Sequence, residues 1–171
     1  MDAKEPLCAQ CARLGKTCCQ FTDIYVTLGD VRRITQASRA IGFYEYRGAE
    51  NPRYLDQSDD PAWRNHVFRP DGTRRVVKRR PNGDCLFLGD RGCRLPPDAR
   101  PLICRLHPLD YTSEGIHTAL SPGCPEHLLA PPETVLSNLN MSLAAALSWH
   151  RMLYEEIRDH HEDRADLRLA V

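Results

Sequence analysis

The sequence predicts an α+β fold, with a small irregular metal-binding core anchored by cysteines, short antiparallel hairpins, one helix in the N-terminal half and a long C-terminal helix. Three observations lead to this prediction. The chain has 8 cysteines among 171 residues, its middle alternates β-rich runs with turn residues, and its last part carries apolar residues at helical spacing. We expect a single domain over residues 1–171, with the cysteine core at about 8–125 and a C-terminal helical brace at about 133–160.

Two segments have little apolar patterning. Residues 1–20 contain four cysteines and few large apolar side chains, so we expect a loop that a bound metal orders. Residues 48–72 are polar and rich in turn formers, and we expect irregular structure there.

The first regular elements are predicted between these segments. Residues 24–26 form a short β-rich run. Thr27 and Asp30 have the spacing of a capping box, which predicts a helix over residues 28–41 that stops at Gly42.

The middle of the chain is predicted to consist of short strands and turns. Residues 74–80 suit an exposed strand, residues 81–84 a turn and residues 85–88 a buried strand. Residues 110–112 and 116–120 surround Glu114-Gly115 and predict a hairpin.

Two helices complete the prediction. Asp98 can cap a short helix that runs to about Leu106. A long helix is expected from about Glu133 to about His160. Its predicted apolar face consists of Leu136, Leu139, Leu143, Leu147, Leu153 and Ile157.

Charge and hydropathy limit the classes of partner. Lys and Arg number 23, as do Asp and Glu, so the net charge is zero and a broadly basic nucleic-acid binder is excluded. The basic run 74–80 is interpreted as a solvated edge strand rather than a nucleic-acid surface. The longest apolar run, 143–147, is too short to span a bilayer, and the charged first residues do not resemble a secretory signal. We therefore expect a cytoplasmic protein with no nucleic-acid or membrane partner, in which metal ions rather than disulfides occupy the cysteines.

The cysteines fall into two groups. The first is Cys8, Cys11, Cys18 and Cys19, in which the two-residue spacer of Cys8 and Cys11 allows both sulfurs to reach one ion. Neighbouring side chains tend to diverge, so Cys18 and Cys19 are expected to serve different metals or different irons of one cluster. The second group is Cys85, Cys93, Cys104 and Cys124, without a second two-residue spacer, which disfavours a zinc ribbon. The count permits two four-ligand sites, or one four-ligand cluster and a less complete second site.

The cysteine pattern resembles the YkgJ-type cysteine-cluster family, which is regarded as zinc- or iron-chelating. The resemblance rests on the N-terminal cysteines, the Cys85-Leu86-Phe87-Leu88 segment with Cys93, and the run from Arg100 to Pro108 around Cys104. It covers roughly residues 8–125, and it departs from the family in the six-residue spacer 12–17. The resemblance implies that the following residues are metal or cluster ligands: Cys8, Cys11, Cys18, Cys19, Cys85, Cys93, Cys104 and Cys124. A flagellin lysine methylase related to the family is thought to use an iron-sulfur cluster, which makes such a cluster an expected occupant.

Three functions are therefore predicted from the sequence. The favoured one is a metal-binding protein whose thiolates hold an iron-sulfur cluster such as 4Fe-4S, iron or zinc. The alternatives are a cluster-dependent enzyme, acting by methyl transfer or redox chemistry on a protein or small molecule, and a metal delivery or storage protein. No catalytic residues are identified, and no protein partner or substrate is indicated.

Side chains near the cysteines complete the candidate set. Several basic residues lie beside cysteines in sequence and are expected to offset thiolate charge: Arg13, Lys16, Arg91, Arg94, Arg100 and Arg105. His107 is expected to bond to backbone and His150 to be a hydrogen-bonded core histidine.

Overall fold

The computed structural model describes residues 5–14, 17–55 and 58–159. Its helices are α1 (Leu7–Ala12), α2 (Leu28–Ser38), α3 (Pro61–Val67), α4 (Leu102–Leu106), α5 (Val135–Asn138) and α6 (Leu143–Asp159). Its strands are β1 (Tyr44–Gly48), β2 (Thr73–Val77), β3 (Leu88–Gly89), β4 (Gly92–Cys93), β5 (Leu109–Thr112) and β6 (Gly115–Leu120). The strands form three antiparallel pairs, β1 with β2, β3 with β4 and β5 with β6. The predicted α+β class with short hairpins and a long C-terminal helix is confirmed.

Helix α2 begins where the capping box predicts. The Thr27 hydroxyl accepts from the Asp30 backbone N–H, and the Asp30 carboxylate accepts from the Thr27 N–H. The helix ends at Ser38, three residues earlier than expected, because Arg39 adopts a left-handed conformation with φ of 54°.

Strand β2 corrects the prediction of an exposed basic strand. Arg74 and Arg75 are only 1% and 3% exposed. The strand pairs with β1 on one side, and Tyr25 forms an isolated bridge to Val76. The carboxylate of Asp23 faces Arg74 at 3.4 Å, and the Arg74 guanidinium lies 4.2 Å from the centroid of the Tyr54 ring. The buried position of Arg74 is tolerated because a carboxylate and an aromatic ring replace its interactions with water.

Two short helices lie in segments that were expected to be irregular. α1 occupies part of residues 1–20, and α3 occupies residues 61–67. The start of α3 has a local cause, because the Asp60 side chain accepts from the Trp63 N–H and Pro61 takes the first helical position.

The predicted long C-terminal helix is divided. Residues 139–142 separate α5 from α6, with Asn140 in a left-handed conformation and Ser142 accepting from the Ala145 N–H. The predicted apolar face is also wrong at two positions, since Leu143 and Leu147 are 65% and 47% exposed. The buried face of α6 consists of Ala146, Leu153, Tyr154 and Ile157. Residue 160 of the predicted brace lies outside the described residues.

The middle of the chain agrees in part with the prediction. The β5–β6 hairpin is confirmed, with Thr112 opposite Gly115. The expected strand at 85–88 is reduced to Leu88 in β3. Asp98 lies in a 3₁₀ turn, and α4 begins later without a side-chain cap.

Apolar side chains pack in two clusters. The first contains Ile24, Phe43, Cys85, Phe87 and Leu88, with Cys19, Cys93 and Cys104 packed against it. The second contains Leu102, Leu106, Leu153, Tyr154 and Ile157 and joins α4 to α6. We call these the cysteine-bearing core and the helical core. In the described part of the chain, no helix is long and apolar enough to cross a membrane.

Candidate metal centre

Helix α1 supplies the first two cysteines. Cys8 and Cys11 are half-buried, and α1 packs against β4, which ends in Cys93. Gly92 lies against α1, and its φ of +86° is a backbone conformation that residues with a side chain rarely adopt. A helix absent from the prediction therefore positions the N-terminal pair.

The Cys18-Cys19 pair lies at the end of the N-terminal segment. The Cys85 N–H donates to the Cys19 carbonyl at 2.7 Å, and Gln20 forms an antiparallel bridge with Asp84. The two neighbouring sulfurs are 4.0 Å apart, so their side chains converge instead of diverging as expected. Cys18 is exposed and Cys19 is half-buried.

Three of the four remaining thiols lie in or beside β3, β4 and α4. Cys85 is buried in the turn before β3, Cys93 ends β4, and Cys104 lies within α4. The pKa of the Cys104 thiol is raised well above its ordinary value, first by burial and then by repulsion from Cys19 and other cysteines.

Electrostatic coupling joins the cysteines around Cys19. Cys19 interacts with its neighbour Cys18 and raises the pKa of five other thiols, those of Cys8, Cys11, Cys85, Cys93 and Cys104. Cys8 is further coupled to Cys124. Segments distant in sequence thus bring all eight predicted ligands into one region, which we call the cysteine centre.

Burial favours the protonated form of several thiols of the centre in the absence of a cation. It raises the pKa of Cys8 to about 11 and that of Cys85 to about 12, with repulsion from other cysteines adding to both shifts. Burial also raises the pKa of Cys93, and repulsion from Cys19 adds to that shift too. A metal must therefore displace protons to bind here.

Arg100 is the basic residue that faces the centre most directly. Its Nε donates to the Leu95 carbonyl at 3.2 Å, and its charge acts against the raised pKa values of Cys8, Cys19 and Cys93. Three of the other predicted arginines form their contacts with other groups. Arg13 pairs with Glu5, Arg94 donates to the Leu86 carbonyl, and Arg105 donates to the carbonyls of Asp98 and Arg100. Lys16 lies outside the described residues.

His107 lies beside the last cysteine. Its Nε2 is 3.7 Å from the Cys124 sulfur, so the imidazole contacts a candidate ligand instead of the expected backbone group. The prediction for His150 is confirmed, because its Nε2 lies 2.7 Å from the Thr112 carbonyl oxygen.

The cysteine ligands match an iron-sulfur cluster or zinc in chemical type and in charge. Thiolates are the preferred ligands of iron-sulfur clusters and of structural zinc, and Arg100 provides a nearby cation. Around one tetrahedral zinc, however, sulfurs must approach to about 3.8 Å of each other. Within residues 5–14, 17–55 and 58–159, no three Cys, His, Asp or Glu side chains are placed to hold a single ion. The arrangement is thus a gathered set of thiols and not a preformed mononuclear site.

Asp30 helps to position the cysteine centre. The sequence predicted for it only a role in the α2 cap. Its carboxylate also accepts from the Leu102 N–H at 3.1 Å and from Arg33 at 2.7 Å. Leu102 is the first residue of α4, so Asp30 fixes the helix that carries Cys104. The sequence contains no local signal for this contact, because it joins residues 72 positions apart.

Comparison of the chain with protein-family models, with curated proteins and with solved structures finds no match in any of the three. The resemblance to the YkgJ-type family therefore stays a prediction based on the cysteine pattern.

Proposed function

We propose that this protein binds metal through its cysteine centre, and that the occupant is an iron-sulfur cluster. The observation that carries the proposal is the coupling of six cysteines to Cys19 within one region. Packing alone does not require so many thiols to lie together, and the mutual repulsion of thiolates is offset when they coordinate cations.

Polynuclear occupancy is favoured over one ion. A single tetrahedral ion uses four thiolates, whereas the centre contains eight cysteines. In the described residues, no three potential ligands are placed around a single ion position. A cluster distributes its ligands over several irons, which suits thiols gathered in a region. The residues that would hold it come from the eight cysteines, and the cluster would supply redox or Lewis-acid chemistry. Iron alone and zinc are the other candidate occupants.

The test is the metal and acid-labile sulfide content of anaerobically isolated protein, taken with its visible spectrum. An iron-sulfur cluster gives equal amounts of iron and sulfide and absorption at about 400 nm, whereas zinc gives a colourless protein. Cys19→Ser should abolish the absorption, because Cys19 lies at the middle of the coupled set. Cys18→Ser is the matched comparison at the exposed edge and should reduce cluster content less. Protein that carries neither metal nor sulfide and still unfolds cooperatively would contradict the proposal.

A cluster-dependent enzyme is the second candidate. The exposure of Cys18 favours it, since a ligand at the surface leaves that side of the centre open to a substrate. Methyl transfer or redox chemistry on a protein or small molecule remains the predicted reaction class. A cluster whose spectrum is unchanged by candidate substrates would argue against this function, and exchangeable metal in a chelator competition would favour delivery or storage.

A further inference from the structure

A cleft of about 450 Å³ lies along the β3–β4 hairpin. Its lining includes Arg80, Asp90, Arg91, Cys93 and Arg94. We call it the arginine cleft. Three arginines and one aspartate give it a net charge of plus two, in a protein whose total charge is zero.

Two of these arginines meet at one backbone oxygen. The Arg94 Nη2 donates to the Leu86 carbonyl at 2.8 Å, and the Arg80 Nη2 donates to the same oxygen at 3.2 Å. Arg80 also donates to the Leu88 carbonyl. Two guanidinium cations that donate to the same oxygen lie close enough to repel each other. The carbonyl dipole offsets only part of that repulsion. Across the part of the chain that the structure describes, neither arginine forms an ion pair with a carboxylate.

The local backbone holds Arg94 in this position. A Cβ on Gly89 would lie 2.9 Å from the Arg94 Cγ, so the aliphatic part of Arg94 lies directly across the glycine. Each guanidinium has five N–H donors, and the carbonyl contacts use only some of them. The remaining donors are oriented before any ligand arrives.

We propose that the arginine cleft binds a small-molecule oxyanion, with a carboxylate or phosphate group held between Arg80 and Arg94. A planar guanidinium can donate two parallel hydrogen bonds to a carboxylate or to a phosphate. An anion between the two arginines also offsets their mutual repulsion. Arg91 adds a third cation. Because Cys93 forms part of the same cleft, the bound molecule lies beside the cysteine centre. This inference does not depend on the proposed metal, since none of its contacts uses sulfur.

Calorimetric titration with pyrophosphate and, separately, citrate tests this proposal on metal-free and metal-loaded protein at constant ionic strength. We expect one binding site, and the probe that binds more tightly identifies phosphate or carboxylate as the preferred group. Arg94→Gln should weaken binding at least about tenfold, the scale of a charged hydrogen bond. Arg94→Lys keeps the charge but loses the two-point geometry and should lie between wild type and Arg94→Gln.

Two further variants control the experiment. Arg151→Gln removes an exposed arginine of α6, outside the cleft, and should leave the affinity unchanged. Arg91→Gln removes another cation of the cleft and should also weaken binding. Because the Arg91 side chain is exposed, this variant replaces Arg94→Gln in the experiment if Arg94→Gln fails to fold. The proposal is overturned if neither probe binds, or if binding is equally strong in the Arg91, Arg94 and Arg151 variants.

Discussion

The eight cysteine side chains differ in exposure and therefore in chemical reactivity. Cys18 is the exposed one, whereas Cys85 is buried and Cys8 is half-buried. The thiolate form reacts with alkylating reagents, so a raised pKa slows modification, as burial does. These differences allow the metal-free centre to be tested one residue at a time.

Alkylation of reduced, metal-free protein with iodoacetamide at pH 8 should modify Cys18 first. Cys8 and Cys85 should react much more slowly than Cys18, because their pKa values of about 11 and about 12 leave little thiolate. Peptide mass spectrometry over a time course measures the order. Urea-unfolded protein is the control, in which all eight rates should converge. Early modification of Cys85 in the folded protein would contradict the described environment.

At the scale of elements, one carboxylate links three helices. Asp30 completes the α2 cap, accepts from the first N–H of α4, and shares Arg33 with Glu156 of α6. Gly29 leaves room for this junction, since a Cβ there would meet the Glu156 carboxylate. The position of α4, and with it that of Cys104, depends on side chains from α2 and α6.

Asp30→Ala should lower the free energy of unfolding by about 2–4 kcal/mol, because it removes a helix cap and leaves the buried Leu102 N–H without its acceptor. Chemical denaturation of metal-free protein measures this loss. Asp30→Asn keeps an acceptor oxygen and should cost less. Glu155→Ala, at an exposed position of α6, is the surface control and should change stability by less than about 0.5 kcal/mol. Equal effects of Asp30→Ala and Glu155→Ala would show that the junction is unimportant.

The elements that sequence analysis predicted correctly are those with local causes. The Thr27 and Asp30 capping box predicts α2, and Glu114-Gly115 predicts the β5–β6 hairpin. Arg74 was misplaced on the surface because its burial depends on Asp23 and Tyr54, which approach only in the folded chain. The same holds for the cysteine centre, because the sequence shows the spacing of the cysteines but not that Cys19 lies in their middle.

The whole metal-free molecule should lose stability at alkaline pH. Folding raises the pKa values of Cys8 and Cys85 from 9.0 to about 11 and about 12, so the folded state binds more protons than the unfolded state between pH 9 and 12. This contribution is complete below pH 9 and is lost as the pH rises through that window. A tenfold change in an acid dissociation constant corresponds to about 1.4 kcal/mol, so the total loss of stability is of the order of several kcal/mol.

Urea unfolding of reduced protein in chelator, at several pH values from 7.5 to about 11, measures this dependence. Cys8→Ser should make the decline shallower, because it removes one of the thiols whose pKa folding raises. Stability that stays constant up to pH 11 would contradict the raised pKa values.

The division of the molecule into two apolar cores has a consequence for the loss of metal. The helical core joins α4 to α6 through Leu102, Leu106, Leu153 and Ile157, and no cysteine is among the described side chains that form it or pack against it. Metal bound at the cysteine centre would cross-link the cysteine-bearing core and not the helical core. Release of the metal would therefore loosen the cysteine-bearing core first, while the helical core keeps its packing. The helical core would then serve as a scaffold on which the cysteine segments reassemble when metal returns.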